Sequence, residues 1–255
     1  MTVNSAAGPP TLSAEGASSL GSGVVLPRHI AVILDGNRRW AHEHHSELAV
    51  AYRRGGDRVH ELLAWCEAAG IAAVTLWPLS TDNLRRDPDS LHVLVQVIAD
   101  VVGELADTGR WRLNLIGEAA LLGPSTRDGI CRAAQGTGSV PGMTVNIAVA
   151  YDGHDDITSA VRSLLNEHAR LGTPVAAIAD ALTSDEIARH LALTGQPPVD
   201  LIIRTSGEQR LSGFLPWQTA HSEFYFCDVN WPDFTRTQFH AALVSYGRRS
   251  RRYGL

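Results

Sequence analysis

Three short segments of this 255-residue chain concentrate side chains that handle anions. The first is Asp35-Gly36-Asn37-Arg38-Arg39-Trp40. A carboxylate followed by guanidinium groups suits a divalent cation and a phosphate held together. Mg2+ takes few protein carboxylates and fills its shell from substrate oxygens, and arginine grips phosphate through paired N–H donors. Gly36 permits a tight turn and close backbone approach. A helix beginning here would aim its free N–H groups at the same spot. Alone, Asp-Gly is equally well an ordinary turn. The second segment, Ser80-Thr81-Asp82-Asn83-Leu84-Arg85-Arg86, offers hydroxyls, an amide and paired arginines. Read alone, it is a polar loop with a helix cap. The third runs from Arg204-Thr205-Ser206 through Glu208, Arg210 and Ser212 to Gly213. It supplies a second anion site, unless Glu208 merely pairs with its arginine neighbours. Three such segments together weaken the ordinary readings. They point to two phosphate-bearing substrates side by side.

These segments need a frame, and the apolar pattern supplies one. His29 to Leu34 is a buried-strand run. Gly55 to Ala69 carries apolar residues at helical spacing, with Gly70 as its stop. Ile71 to Trp77 is a second strand and Pro78 to Asp87 a polar loop. Asp87-Pro88 is an N-cap and first-turn pair for a helix to about Asp107. Trp111 to Ile116 and Met143 to Ala150 are further strands. Helices are expected after Pro124 and from the end of the fourth strand through Ala169. Val199 to Ile203 and Glu223 to Phe226 complete the strands, and a last helix spans Thr237 to Arg248. Alternation of this kind predicts an α/β fold: one domain with a central, mostly parallel six-stranded sheet flanked by helices. Ligands bind such sheets at the strands' carboxyl ends, where all three polar segments fall.

Composition narrows the partners. With 44% hydrophobic and 19% charged residues the chain is globular. Its net charge of -5 argues against nucleic acid, and concentrated positive loops on an acidic protein suit a small polyanion. All 22 basic residues are arginine, which reflects codon usage first; their positions carry the argument. No apolar run approaches the roughly 20 residues that span a bilayer, so membrane contact is at most peripheral. Residues 1–24 read as a flexible tail and 25–255 as one catalytic domain. Cys66, Cys131 and Cys227 lack metal-ligand spacing and read as free thiols in a reducing cytoplasm.

HIAVILDGNRRWA, STDNLRRDP, DLIIRTSGEQRLSGFLPWQ, SEFYF and NWPDF resemble, in order, the signature segments of the cis-prenyltransferase (undecaprenyl diphosphate synthase) family. The likeness runs from about Pro27 to the C-terminus. SGEQRLSGF and the loop around Asn83 look most like the actinobacterial short-chain branch, the (2Z,6E)-farnesyl diphosphate synthases. The resemblance implies a homodimeric, Mg2+-dependent prenyltransferase that joins an allylic diphosphate (geranyl or dimethylallyl) to isopentenyl diphosphate. It implies that Asp35 binds Mg2+ with help from Glu223. Gly36, Asn37, Arg38 and Arg39 would hold the allylic diphosphate, with Trp40 beside it. Asn83 matches the residue assigned to proton removal, with Ser80, Thr81, Asp82 and Arg86 lining the same site. Arg204, Arg210 and Ser212 would grip the isopentenyl diphosphate. An amide is not basic, so Asn83 is better read as orienting substrate or water, with departing diphosphate as the base.

Several positions depart from the family pattern. Leu48 and Tyr52 stand where it has an arginine and a histidine, Asp152 and His154 where it has mostly glycine and arginine, and Leu84 where it has tryptophan. The chain ends Arg252-Tyr253-Gly254-Leu255, a shortened form of the usual ending. Two alternatives follow: irregular, lavandulyl-type coupling with a dimethylallyl acceptor, and a catalytically silent partner subunit. The retained Asp35, Arg204, Arg210 and Glu223 favour an active enzyme. For the apolar tunnel that receives product, Trp77, Pro78, Leu79, Leu91, Leu94, Val95, Ile98 and Val102 are wall candidates, Trp77 being the expected floor. Product is expected to be short. His42, His44 and His45 read as solvated helix surface, and His154-Asp155-Asp156 as a helix start whose aspartates satisfy N–H groups, with substrate contact as the alternative. The basic end, Arg248 to Arg252, reads as a helix terminus or an anion contact.

Overall fold

The computed structural model describes residues 25–248. The proposed tail and the Arg252–Leu255 ending lie outside the described residues, as do Arg249 and Arg251. Six strands form one all-parallel sheet: β1 (His29–Ile33), β2 (Ala73–Ser80), β3 (Arg112–Ile116), β4 (Thr144–Tyr151), β5 (Leu201–Arg204) and β6 (Glu223–Phe226). Their order is β3-β4-β2-β1-β5-β6. Eight helices accompany them: α1 (Asn37–Glu43), α2 (Leu48–Ala68), α3 (Pro88–Asp107), α4 (Pro124–Gly136), α5 (Gly153–Arg170), α6 (Val175–Ala181), α7 (Ser184–Ala188) and α8 (Arg236–Arg248).

Both sheet faces are covered, so strands such as HIAVI read as unbroken apolar runs. Their side chains still alternate: Ile30 and Val32 join the core under α2, α3 and α8, while Ala31 and Ile33 join the opposite cluster around Phe214 and Leu215. β1 sits between β2 and β5, with Ile33 opposite Trp77 on one side and Arg204 on the other. That neighbourhood brings the loops after β1, β2 and β5 to one end of the sheet.

Two boundaries differ from the sequence reading. Helix α2 begins at Leu48, seven residues before the expected Gly55. Gly55 and Gly56 punctuate nothing. They are helix-interior residues whose missing side chains let other groups approach: a Cβ on Gly55 would stand 2.5 Å from Asn37 Oδ1. Strand β2 continues through Pro78 to Ser80. Proline has no N–H for the ladder, and the β2–β4 register shifts between Leu76 and Leu79. The expected polar loop shrinks to a 3-10 turn at Asp82–Arg85. Helix α3 starts as read: Asp87 accepts from the Asp89 and Ser90 N–H groups, with Pro88 next. The cap of α5 differs from the reading: Asp152 accepts from His154 N–H, and Asp155 and Asp156 fall within the first turn. The short helices α6 and α7 had no expected counterpart.

One polar layer runs inside the sheet. His29, fully buried, places Nδ1 2.8 Å from the Pro197 carbonyl and Nε2 2.8 Å from Thr75 Oγ1. The carbonyl requires a proton on Nδ1, so Nε2 accepts from the Thr75 hydroxyl. Asn146 donates to Thr75 and exchanges two bonds with Gln196. Burial lowers the His29 pKa below the usual 6.5, against the raising effects of the Pro197 carbonyl and Asp200. The unfolded chain therefore takes up a proton below about pH 6.5 while folded His29 stays neutral. Stability present above that pH is lost as pH falls, at up to about 1.4 kcal/mol per unit, until folded His29 titrates. Thermal melts between pH 7 and 5 should show this slope, and it should be shallower in His29→Gln.

Candidate active site

Asp35 follows β1 and Arg204 ends β5, so the β1–β5 pairing sets them side by side. Arg204 is 4% exposed, and its Nη2 donates to Asp35 Oδ2 at 2.9 Å. Its Nη1 donates to Ser212 Oγ at 3.0 Å and to the Arg210 carbonyl. A buried guanidinium must be paired, and here a carboxylate and the loop that follows β5 do the pairing. The Asp35 backbone is fixed in turn. Its carbonyl accepts from Trp231 N–H at 2.9 Å and from Thr205 Oγ1 at 2.6 Å.

Gly36 next turns the chain with φ 105°, and a Cβ there would lie 2.5 Å from Asn230 Oδ1. Only glycine meets both demands. Helix α1 then starts without a side-chain cap, leaving its first N–H groups free of one. Asn37 donates to the Leu34 carbonyl at 3.1 Å, while its Oδ1 is buried without a protein partner.

The loop after β5 curls through left-handed conformations at Ser206, Gly207, Ser212 and Gly213. Arg39 reaches across to it, donating to the carbonyl and hydroxyl of Ser206 and to Glu208 at 2.7 Å. Glu208 also pairs with Arg210. Bonds from Arg210, then Arg39, hold the Glu208 carboxyl below its usual range. One carboxylate thus pairs with an arginine from two of the three anion-handling segments.

The β2 side is quieter. Ser80 and Asn83 bond reciprocally: Asn83 N–H donates to Ser80 Oγ at 3.2 Å and Ser80 N–H donates to Asn83 Oδ1 at 3.4 Å. Arg86 donates to the Tyr52 hydroxyl at 3.4 Å. Burial raises the Tyr52 pKa, opposed by Arg86 and Arg38.

These groups wall a cleft of about 650 Å³ that brings together Asp35, Gly36, Asn37, Arg38, Arg39, Ser80, Asp82, Asn83, Arg86, Arg204, Arg210 and Ser212. Three expected residues are elsewhere. Trp40 is buried between α1 and α2, stacked on His44 at 4.2 Å with Arg54 over its ring, because the α1 period turns it inward. Thr81 is not on the wall; its carbonyl closes the 3-10 turn with Leu84 N–H. Glu223 opens β6 opposite Leu201, while Phe226 lies opposite Arg204. Three strand residues, roughly 10 Å, separate its level from that of Arg204, and Asp35 lies farther still. An Asp35–Glu223 metal pair therefore does not form within one chain. Among the described residues, no group of three acidic, histidine or cysteine side chains could hold a metal. Asp35 alone still fits Mg2+, which needs only one or two carboxylates when phosphate oxygens complete its shell.

Sequence reasoning missed Glu43 and Leu34 on this wall and treated Tyr52 only as a departure. His42, read as solvated surface, also lines it. The α1 period, which returns to one face after three or four residues, was the available signal for His42 and Glu43.

A second, apolar cavity of about 60 Å³ lies between α2, α3 and the sheet. It shares Leu34, Asn37, Tyr52, Pro78 and Leu94 with the cleft, so the two are contiguous. Pro78, Leu94, Ile98 and Val102 line it as expected. Leu91 and Val95 pack on the core instead, and Leu79 is within it. Trp77 is not the floor. Strand alternation puts Leu76 on the cavity face, whereas Trp77 lines the charged cleft and stacks on Phe214 at 4.8 Å. Val59, Val101 and Leu105 supply the deeper wall.

Residues 33–254 match a family model described as putative undecaprenyl diphosphate synthase. The chain is 51% identical over 229 residues to a (2Z,6E)-farnesyl diphosphate synthase of Thermobifida fusca, covering 89% of this chain and 90% of that one. It is 47% identical over 229 residues to isoprenyl transferase 1 of Streptomyces avermitilis, covering 90% and 89%. A solved lavandulyl diphosphate synthase from Lavandula x intermedia, in complex with dimethylallyl diphosphate, superposes with a TM-score of 0.83 at 30% identity, covering 90% of this chain and 99% of that one.

The Asn37–Gly55 contact yields a test. Gly55→Ala would place a methyl 2.5 Å from Asn37 Oδ1 and 3.1 Å from Trp231, displacing the Asp35-Gly36-Asn37 turn. Calorimetric titration should show inorganic diphosphate binding weakened by roughly tenfold, since small displacements at a preorganised site are costly.

Proposed function

This chain belongs to the undecaprenyl diphosphate synthase family of prenyltransferases, and from that premise we propose that it is a short-chain cis-prenyl diphosphate synthase. It condenses an allylic diphosphate, geranyl or dimethylallyl, with isopentenyl diphosphate and releases diphosphate. The supporting observation is the continuity of the arginine-lined cleft with the apolar cavity. Such a cleft holds two charged head groups while one hydrocarbon tail lies against α2 and α3.

In this reading Arg38, Arg39 and the first N–H groups of α1 hold the allylic diphosphate. Arg204, Arg210 and Ser212 hold the isopentenyl diphosphate. Asp35 holds Mg2+, which neutralises charge on diphosphate when bound. The allylic C–O bond breaks and its electrons leave with diphosphate, whose growing charge the fixed guanidinium and N–H donors stabilise. The isopentenyl double bond supplies the electrons of the new C–C bond. A proton then leaves the adjacent carbon and a cis double bond remains. Asn83, held by Ser80, orients this step, and departing diphosphate accepts the proton.

A short product is supported by the likeness to a (2Z,6E)-farnesyl diphosphate synthase. Head-to-tail coupling is favoured over lavandulyl-type coupling by the 51% identity to a (2Z,6E)-farnesyl synthase against 30% to the lavandulyl enzyme. Pairing with a second copy is supported by β6, which forms a sheet edge with Phe224 and Phe226 stacked and only half-buried. Free Cys66, Cys131 and Cys227 support a cytoplasmic setting.

Purified protein given Mg2+, geranyl or dimethylallyl diphosphate and isopentenyl diphosphate should, without any added partner, form a short cis product. Mass and NMR analysis of the dephosphorylated alcohol identifies it; an irregular skeleton, or no turnover, defeats the reading. Asp35→Ala should lower kcat/KM by at least roughly a hundredfold, the scale of lost transition-state electrostatics. Asn83→Ala should lower kcat far more than it raises KM, and an unchanged kcat would remove its role.

A further inference from the structure

The apolar cavity lies beneath the seam between α2 and α3. Along that seam Gly56 faces Val101: a Cβ on Gly56 would stand 2.7 Å from Val101 Cγ2 and 3.7 Å from Val97 Cγ1. The helices meet there with only a glycine on one side. Farther out, charged side chains cross the same seam. Arg53 Nη2 on α2 lies 2.6 Å from both carboxylate oxygens of Glu104 on α3. His60 Nε2, nearly two turns along α2, meets Glu104 Oε2 at 3.1 Å. Arg53, Gly56 and His60 follow one edge of α2, as Val97, Val101 and Glu104 follow one edge of α3, each at helical spacing. None of the three polar residues lines the cleft or the cavity, so head-group binding does not account for them.

Resting on the reading of the chain as a short-chain prenyl synthase, we propose that Arg53, Glu104 and His60 form a clasp over the α2–α3 seam that limits how far the cavity opens, and so sets the longest tail it accepts. A cavity of about 60 Å³ cannot take an isoprenoid tail unless its walls part. The sheet side is fixed by the strand ladder, whereas the α2–α3 seam is side chains against glycine. An isolated exposed ion pair contributes little to global stability. Here one carboxylate gathers two partners from the facing helix, and it acts on a local opening whose free energy is far smaller than that of unfolding. Arg53, Glu104 and His60 are positioning residues; they touch no reacting atom.

The test uses S-thiolodiphosphates with geranyl and farnesyl tails, measured by calorimetric titration on the full chain. Glu104→Gln and Arg53→Met should each bind the farnesyl analogue about fivefold tighter, a shift available from a clasp of this kind, and gain less for the shorter geranyl tail, so that the farnesyl-to-geranyl affinity ratio rises. The double variant should match Glu104→Gln, which already removes both contacts of the clasp, whereas Arg53→Met leaves the His60 contact. Asp128→Asn, whose carboxylate pairs with Arg127 on α4, should bind like wild type. In turnover, the seam variants should make a larger share of the next-longer product. A farnesyl-to-geranyl affinity ratio equal to wild type in both seam variants overturns the clasp. Failure of wild type to make any prenyl diphosphate defeats the functional reading instead, and the affinity ratio still decides the clasp.

Discussion

A guanidinium withdrawn from water at the end of a strand must find an anion. For Arg204 that anion is Asp35, at 2.9 Å. The contact costs desolvation of both groups, and breaking it would leave a buried charge unpaired. Several otherwise unrelated features converge on keeping it. The β1–β5 register brings the two strand ends together. Thr205 and the Trp231 N–H share the Asp35 carbonyl. Ser212 and the Arg210 carbonyl take Arg204 Nη1, while its buried Nε has no protein partner. The loop after β5 is thereby shaped around a charge pair, and its left-handed serines and glycines follow from that shape.

The charged cleft and the apolar cavity meet at Leu34, Asn37, Tyr52, Pro78 and Leu94. These positions mark where polar walls give way to apolar ones. Pro78 marks the division within β2. By removing a ladder donor it shifts the pairing with β4 and ends the regular face on which Leu76 sits. Tyr52 marks it on α2, with an apolar ring toward the cavity and a hydroxyl toward Arg86.

The strands, and the gathering of three arginine-bearing loops at their carboxyl ends, were legible because buried parallel strands have a plain signature and polar residues beside them do not belong to a core. Gly55 misled, since a helix-interior glycine that admits a neighbour and a glycine at a helix boundary look alike in one dimension. Trp77 was placed on the wrong side because its strand neighbours on both faces are apolar, so composition does not reveal which face is which. Trp40 and Glu223 carried the family's pattern without the geometry it suggested: one is turned inward by the α1 period, and the other starts a strand whose far end faces the cleft. The α2–α3 seam was illegible because it depends on which helical edges meet across space.

Asp35 and Arg204 stand 169 residues apart in the chain. Nothing local can bring them together; β5 must dock beside β1 after most of the protein has been synthesised. Contacts of such long range are formed late and slowly in folding. A nascent chain still lacking β5 would hold its first strand and the Asp35 turn with an open flank, and its anion site would be half built. Competence for chemistry is thus acquired near the end of maturation, when the last third of the polypeptide joins a sheet begun by the first.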